Sequence, residues 1–112
     1  MPSTTNFQAG EVVLVSFPFT MGQQAKNRPA LVLLDTGDSD VLVARITSQV
    51  HTTHWDVAVS DWQFAKLLVP SVIRLHKVAT IEKTKIARRI GRLEAIDHSR
   101  VSAIIGQIFA NW

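Results

Sequence analysis

Two short apolar runs, Glu11-Val12-Val13-Leu14-Val15-Ser16-Phe17 and Pro29-Ala30-Leu31-Val32-Leu33-Leu34-Asp35, flank a polar segment that ends in Arg28. Each run has strand length, is rich in Val and Leu, and is punctuated by Pro18 or Pro29. Neither alternates cleanly between apolar and polar residues, which predicts strands covered on both faces. Residues 18–28, with Gly22, Gln23, Gln24 and Asn27, read as the loop between them. Asp35-Thr36-Gly37-Asp38 is turn-forming and predicts a hairpin into a strand over 41–49.

The rest of the chain continues in short pieces. Residues 55–59 read as another strand, and Asp61 is placed to cap one helical turn through Ala65. Over 72–81, alternation puts Ile73, Leu75, Ala79 and Ile81 on one face and Arg74, His76 and Thr80 on the other. Residues 86–93 predict a last strand, broken by Gly91. From Asp97, the expected N-cap, the period becomes helical, with Val101, Ile104, Ile105, Ile108 and Phe109 forming one apolar stripe. Many short strands and a terminal helix predict a mainly β fold, a small, strongly bent antiparallel sheet or barrel. One domain over residues 1–112 accommodates it.

Composition narrows the chemistry. There is no cysteine, which removes disulfides, thiolate metal sites and cysteine nucleophiles. Four scattered histidines form no recognisable metal-ligand spacing. The start of the chain is polar, and no signal-type or membrane-spanning apolar run follows, so a cytoplasmic location away from membranes is expected. Hydrophobic residues make up 46% and charged residues 19%, a greasy balance that favours a self-associating domain. Net charge is +3, unevenly spread: residues 74–100 hold eight Lys/Arg against three acids, and the remainder four against six. A basic C-terminal third suits a polyanion.

Five segments carry a family resemblance in order: Gly10 to Phe19, Arg28-Pro29-Ala30-Leu31-Val32, Ile46-Thr47-Ser48-Gln49, Pro70-Ser71-Val72-Ile73-Arg74 with Thr80-Ile81, and Ile90-Gly91-Arg92-Leu93 before the final helix. Together they resemble the MazF/PemK family of toxin ribonucleases, the toxic half of toxin–antitoxin pairs. The resemblance implies an SH3-like barrel and a homodimer. It also implies cleavage of single-stranded RNA through the ribose 2′-hydroxyl without metal or cofactor, and a cognate antitoxin whose tail occupies the RNA groove. Three positions depart from the family pattern. His76 stands where many members carry aspartate, Lys77 where they carry glutamine, and Ala65-Lys66-Leu67 where Ala-Gly-Leu is usual.

Metal-free RNA cleavage needs a base for the 2′-hydroxyl, an acid for the leaving oxygen and cations for the charge on phosphorus. Arg28 offers a planar donor fork for phosphate, and Pro29 holds it extended. Thr47 can position a reacting oxygen, Arg74 can stabilise charge, and His76 brings an imidazole, a side chain that suits a base or acid. These four are the expected catalytic residues. Lys26, Arg45, Ser48, Gln49 and Lys77 are the expected RNA contacts. Alternation would send Arg45 and Thr47 to one face and Ser48 to the other. Trp55 and Trp62 suit core or interface packing better than base stacking. The rival reading is a non-catalytic barrel that binds nucleic acid or an antitoxin, or poisons a topoisomerase as the related CcdB fold does.

Overall fold

The computed structural model describes residues 6–17 and 26–112; the expected loop residues 18–25 lie outside them. The elements run β1 (Glu11–Phe17), β2 (Lys26–Leu34), β3 (Asp40–Thr47), β4 (Asp56–Ala58), β5 (Val72–Glu82), a 3₁₀ turn (Lys83–Lys85), β6 (Ile86–Arg92) and α1 (Ala95–Ile108). The six strands form one sheet in the order β4-β5-β3-β2-β1-β6, with every neighbouring pair antiparallel. This is the mainly β architecture with a C-terminal helix that the short apolar runs predict.

The sheet is covered on both faces, which is why β1 and β2 do not alternate with polar residues. Val12, Leu31, Ala44, Ile46 and Ile73 pack on the helix side with Val101 of α1. Val13, Val15, Ala30, Val32 and Val43 pack on the other side with Phe7. Successive residues of one strand therefore enter different cores, as the two-residue period requires. Each fully buried Leu, Ile or Val stabilises the fold by roughly 1.5–3 kcal/mol.

Irregularities bend the sheet. The pairing of β1 with β6 shifts register twice, and β3 with β5 shifts between Ala44 and Arg45. Ala44 opposes Val78 and Arg45 opposes Arg74, so Leu75, His76 and Lys77 bulge out of the ladder. The bulge corrects the even alternation expected over 72–81. Ile73 and Leu75 enter the helix-side core, whereas Ile81 packs against the opposite one.

Three boundaries also differ from expectation. β2 begins at Lys26, so Lys26, Asn27 and Arg28 are strand residues opposite Phe17, Ser16 and Val15. Gly91 does not break β6 but pairs with Val12 inside it. Helix α1 begins at Ala95, and its N-cap is Glu94, whose carboxylate accepts from the Ile96 amide at 2.9 Å. Asp97 is fully buried instead and accepts from the Ser60 and Asp61 amides, both at 2.9 Å. It ties α1 to the 60–66 turn, where Asp61 accepts from the Phe64 amide as a local cap. Phe109, expected in the apolar stripe, is exposed at the helix C-cap.

Candidate active site

The register sets out the site. Leu14 of β1 faces Pro29 of β2 on one side and Arg88 of β6 on the other. Directly opposed residues point to the same face of an antiparallel sheet. Pro29, Leu14 and Arg88 therefore floor and flank one side of a cleft of about 310 Å³. Ile46, Thr47 and Ser48 close it at the end of β3, and Lys66 to Val69 form its outer wall. Arg28 stands at the rim.

The cleft is apolar at its floor and cationic at its edge. Arg28, Lys66 and Arg88 line it, and among the described residues no carboxylate does. Such a surface suits an anion with an apolar appendage, as a nucleotide is. Thr47 has its hydroxyl oriented locally: its oxygen accepts from the Gln49 amide at 3.1 Å, which leaves the hydroxyl proton to donate. Thr47 and Ser48 share the cleft because β3 ends at Thr47 and the chain bends there, so strand alternation does not carry on to Ser48.

Arg28 also borders a second depression of about 410 Å³, which holds Arg45 and Lys77. Lys77 reaches it from the β5 bulge. Of the nine residues singled out from the sequence, Arg28, Thr47 and Ser48 meet in the first cleft, and Arg28, Arg45 and Lys77 in the second. Lys26 and Gln49 are exposed and line neither depression.

Arg74 and His76 form a separate unit. The Arg74 Nε donates to Asp56 Oδ1 at 2.9 Å, and Arg74 Nη2 lies 3.3 Å from His76 Nε2. A guanidinium only donates, so His76 Nε2 accepts and the ring proton of the neutral form sits on Nδ1. These two residues line neither depression. Arg74 opposes Arg45 across the ladder, a like-charge pair that would destabilise the sheet were it not for Asp56.

Asp56 is the main residue missed from the sequence. Its side chain is only 1% exposed, and its second oxygen accepts from the Thr53 amide at 3.0 Å and the Thr53 hydroxyl at 2.7 Å. Burial alone would raise this carboxyl, but the hydrogen bonds from Arg74 and Thr53 and the arginine charge outweigh it and hold it down to about 2. A carboxylate so fully engaged cannot serve as a general base near neutrality. Its folded value lies below the unfolded 3.8, so its stabilisation is complete above the unfolded value and is lost as pH falls toward 2. Asp35 is lowered by the Phe7 and Gly37 amides, and Asp97 is lowered because the Asp61 and Ser60 amides overcome burial; both act in the same direction. Unfolding free energy should fall by about 2 kcal/mol from Asp56 alone between roughly pH 5 and pH 2. Urea midpoints across that range measure it, and a flat profile would contradict the assignment.

Lys66 and Arg88 were also missed. Arg88 is one of several basic residues in the C-terminal third, and only the β1–β6 register puts it beside Leu14. Lys66 is the residue among the described non-glycines with positive φ, at 67°. Its signal in the sequence was the lysine standing where Ala-Gly-Leu is usual. Elsewhere, His98 packs against Gly10, at whose α-carbon a Cβ would meet the ring at 2.6 Å. His54 contacts Gln107 and the edge of Trp55. Among the described residues no three His, Asp or Glu side chains gather as a metal site, and no helix is long and apolar enough to cross a membrane.

Known proteins share this fold. The Mycobacterium tuberculosis toxin MazF-mt6 is 26% identical, with TM-score 0.73 over 91% of this chain and 99% of that one. The fold alone is shared with MazF of a MazE–MazF structure from Deinococcus radiodurans, at 17% identity and TM-score 0.77, covering 99% and 100%. It is shared too with an endoribonuclease in complex with its cognate antitoxin from a Mycobacterial species, at 16% identity and TM-score 0.72, covering 96% and 98%. No curated protein sequence matches the chain. The matched family region spans residues 8–109 and so takes in the cleft, both depressions and the Asp56–Arg74–His76 unit: the chain belongs to the PemK-like, MazF-like toxins of type II toxin–antitoxin systems.

Proposed function

We propose that this toxin is a sequence-selective, metal-independent endoribonuclease that cleaves single-stranded RNA. The observation that carries this reading is the cleft itself, which Arg28, Lys66 and Arg88 line together with Thr47 and Ser48, with no carboxylate among the described residues. Its donors suit a phosphodiester, and its lack of acids is not what a divalent cation site needs.

In the proposed reaction the ribose 2′-oxygen attacks the adjacent phosphorus and the bond to the 5′-oxygen breaks. The products are a 2′,3′-cyclic phosphate and a 5′-hydroxyl. The Arg28 fork meets the non-bridging oxygens, and the Thr47 hydroxyl donates to the same charge as it grows. Arg74 and His76 line neither depression, so in this proposal the RNA also passes over β5 beside Arg45, where Arg74, held by Asp56, adds positive charge and His76 exchanges the proton of the 2′-hydroxyl or the leaving oxygen. Ser48, Gln49, Arg45, Lys77 and Lys26 contact flanking RNA.

The active species is a cytoplasmic homodimer neutralised by a cognate antitoxin. Support comes from the similar endoribonuclease held in complex with its own antitoxin, and from exposed apolar side chains such as Leu68, Phe109 and Trp112 that a partner would cover.

The test is incubation of the purified protein with a long single-stranded RNA in excess EDTA, with both ends of each product mapped. Cleavage at a recurring short motif, leaving cyclic phosphate and 5′-hydroxyl ends, is expected. Cleavage lost in EDTA and restored by magnesium or manganese would overturn the mechanism.

A further inference from the structure

Lys66 adopts a left-handed backbone conformation, φ 67°, at the mouth of the cleft. Glycine takes that conformation without strain, and a long β-carbon-bearing residue does not. Gly91 of β6 accommodates it: a Cβ there would come within 2.9 Å of Lys66 Cγ and 2.6 Å of the Ala65 carbonyl oxygen. The lysine stem therefore lies against bare backbone, and Lys66 lines the same cleft as Arg88. Both residues are exposed, and among the described residues neither forms an ion pair.

Backbone strain at a charged, cleft-lining residue points to a task that glycine could not perform. We infer that Lys66, with Arg88, forms a second phosphate subsite on the far side of the cleft from Arg28, holding the RNA phosphate next to the one that is cleaved. Arg88 on β6 and Arg28 on β2 lie on the two strands that flank β1, and both line the cleft. The apolar floor of Leu14 and Ile90 lies between them, where the intervening sugar and base would rest. This inference rests on the proposed RNA-cleaving function.

The test compares the parent with Lys66→Gly, Lys66→Gln and Lys66→Arg. The probe is a single-stranded RNA made uncleavable by one 2′-deoxy substitution. Lys66→Gly should keep or raise the melting temperature while weakening RNA binding about three- to tenfold and making the salt dependence shallower by about 0.7. Lys66→Gln should weaken binding equally with the parent's melting temperature, and Lys66→Arg should retain binding. Parent-like affinity and salt slope in Lys66→Gly and Lys66→Gln would overturn the inference alone. An RNA bound by neither parent nor variants would overturn it together with the proposed function. A Lys66→Gly protein that melts well below the parent would also count against it, because the lysine would then be serving the fold.

Discussion

Arg28→Ala should lower RNA cleavage by about a hundred- to a thousandfold while leaving the fold intact, the loss typical of one preorganised charge donor, roughly 2.7–4 kcal/mol. Arg28 sits in the middle of the ladder between β1 and β2, opposite Val15, and Pro29 follows it. Its backbone is therefore fixed from both sides before any substrate arrives. With Pro29 it also borders both depressions, the one holding Thr47 and Ser48 and the one holding Arg45 and Lys77. A strand of RNA crossing from one to the other would pass it. Arg28→Lys should recover only part of the rate, since an ammonium keeps the charge and loses the two-pronged geometry. Initial rates on a short fluorescent RNA, with circular dichroism and a melting curve for each variant, decide the matter. A well-folded Arg28→Ala protein that cleaves near the parent rate would remove Arg28 from the chemistry.

What the sequence made legible depended on whether a signal was local. The runs at 11–17 and 29–34 are dense in Val and Leu because both faces of β1 and β2 are buried, and that density identified them. The first residues of β2 were not legible. Lys26 and Asn27 are exposed strand residues, and nothing apolar marks them. The β5 bulge was hidden for a different reason. A two-residue period fitted across 72–81 assumes an unbroken ladder, while Leu75, His76 and Lys77 leave it and reverse the facing of everything after them. Asp97 resembled an N-cap by position, but its oxygens are taken by amides 36 and 37 residues away.

The candidate site divides along the same line. Arg28, Thr47 and Ser48 were found because short motifs carry them, and the sheet does bring them into one cleft. Arg88 and Lys66 belong to that cleft through strand register and backbone conformation, neither of which a single chain of letters displays. Asp56 is the sharper case. It lies 18 residues before Arg74 and meets it only because β4 pairs with β5, Asp56 opposite Arg74. In the resemblance, many members carry an aspartate two positions after that arginine, where this chain has His76. In this chain the carboxylate that meets the arginine comes from the neighbouring strand.

The Asp56–Arg74 pair has a large energetic consequence. Asp56→Ala should destabilise the protein by about 3 kcal/mol or more, because the Arg74 guanidinium, 14% exposed, would lose its counter-charge and still face Arg45 across the ladder. The Thr53 amide and hydroxyl would lose their acceptor as well. For a domain of this size the melting temperature should drop by on the order of 10 °C. Asp56→Ala combined with Arg74→Met should recover much of that loss, since removing both partners of a largely buried pair costs far less than stranding one charge. The coupling read from this double-mutant cycle separates a true pair from two independent structural residues. Losses that simply add, with no recovery in the double variant, would mean that Asp56 serves the 53–56 turn and leaves Arg74 to be positioned by something else.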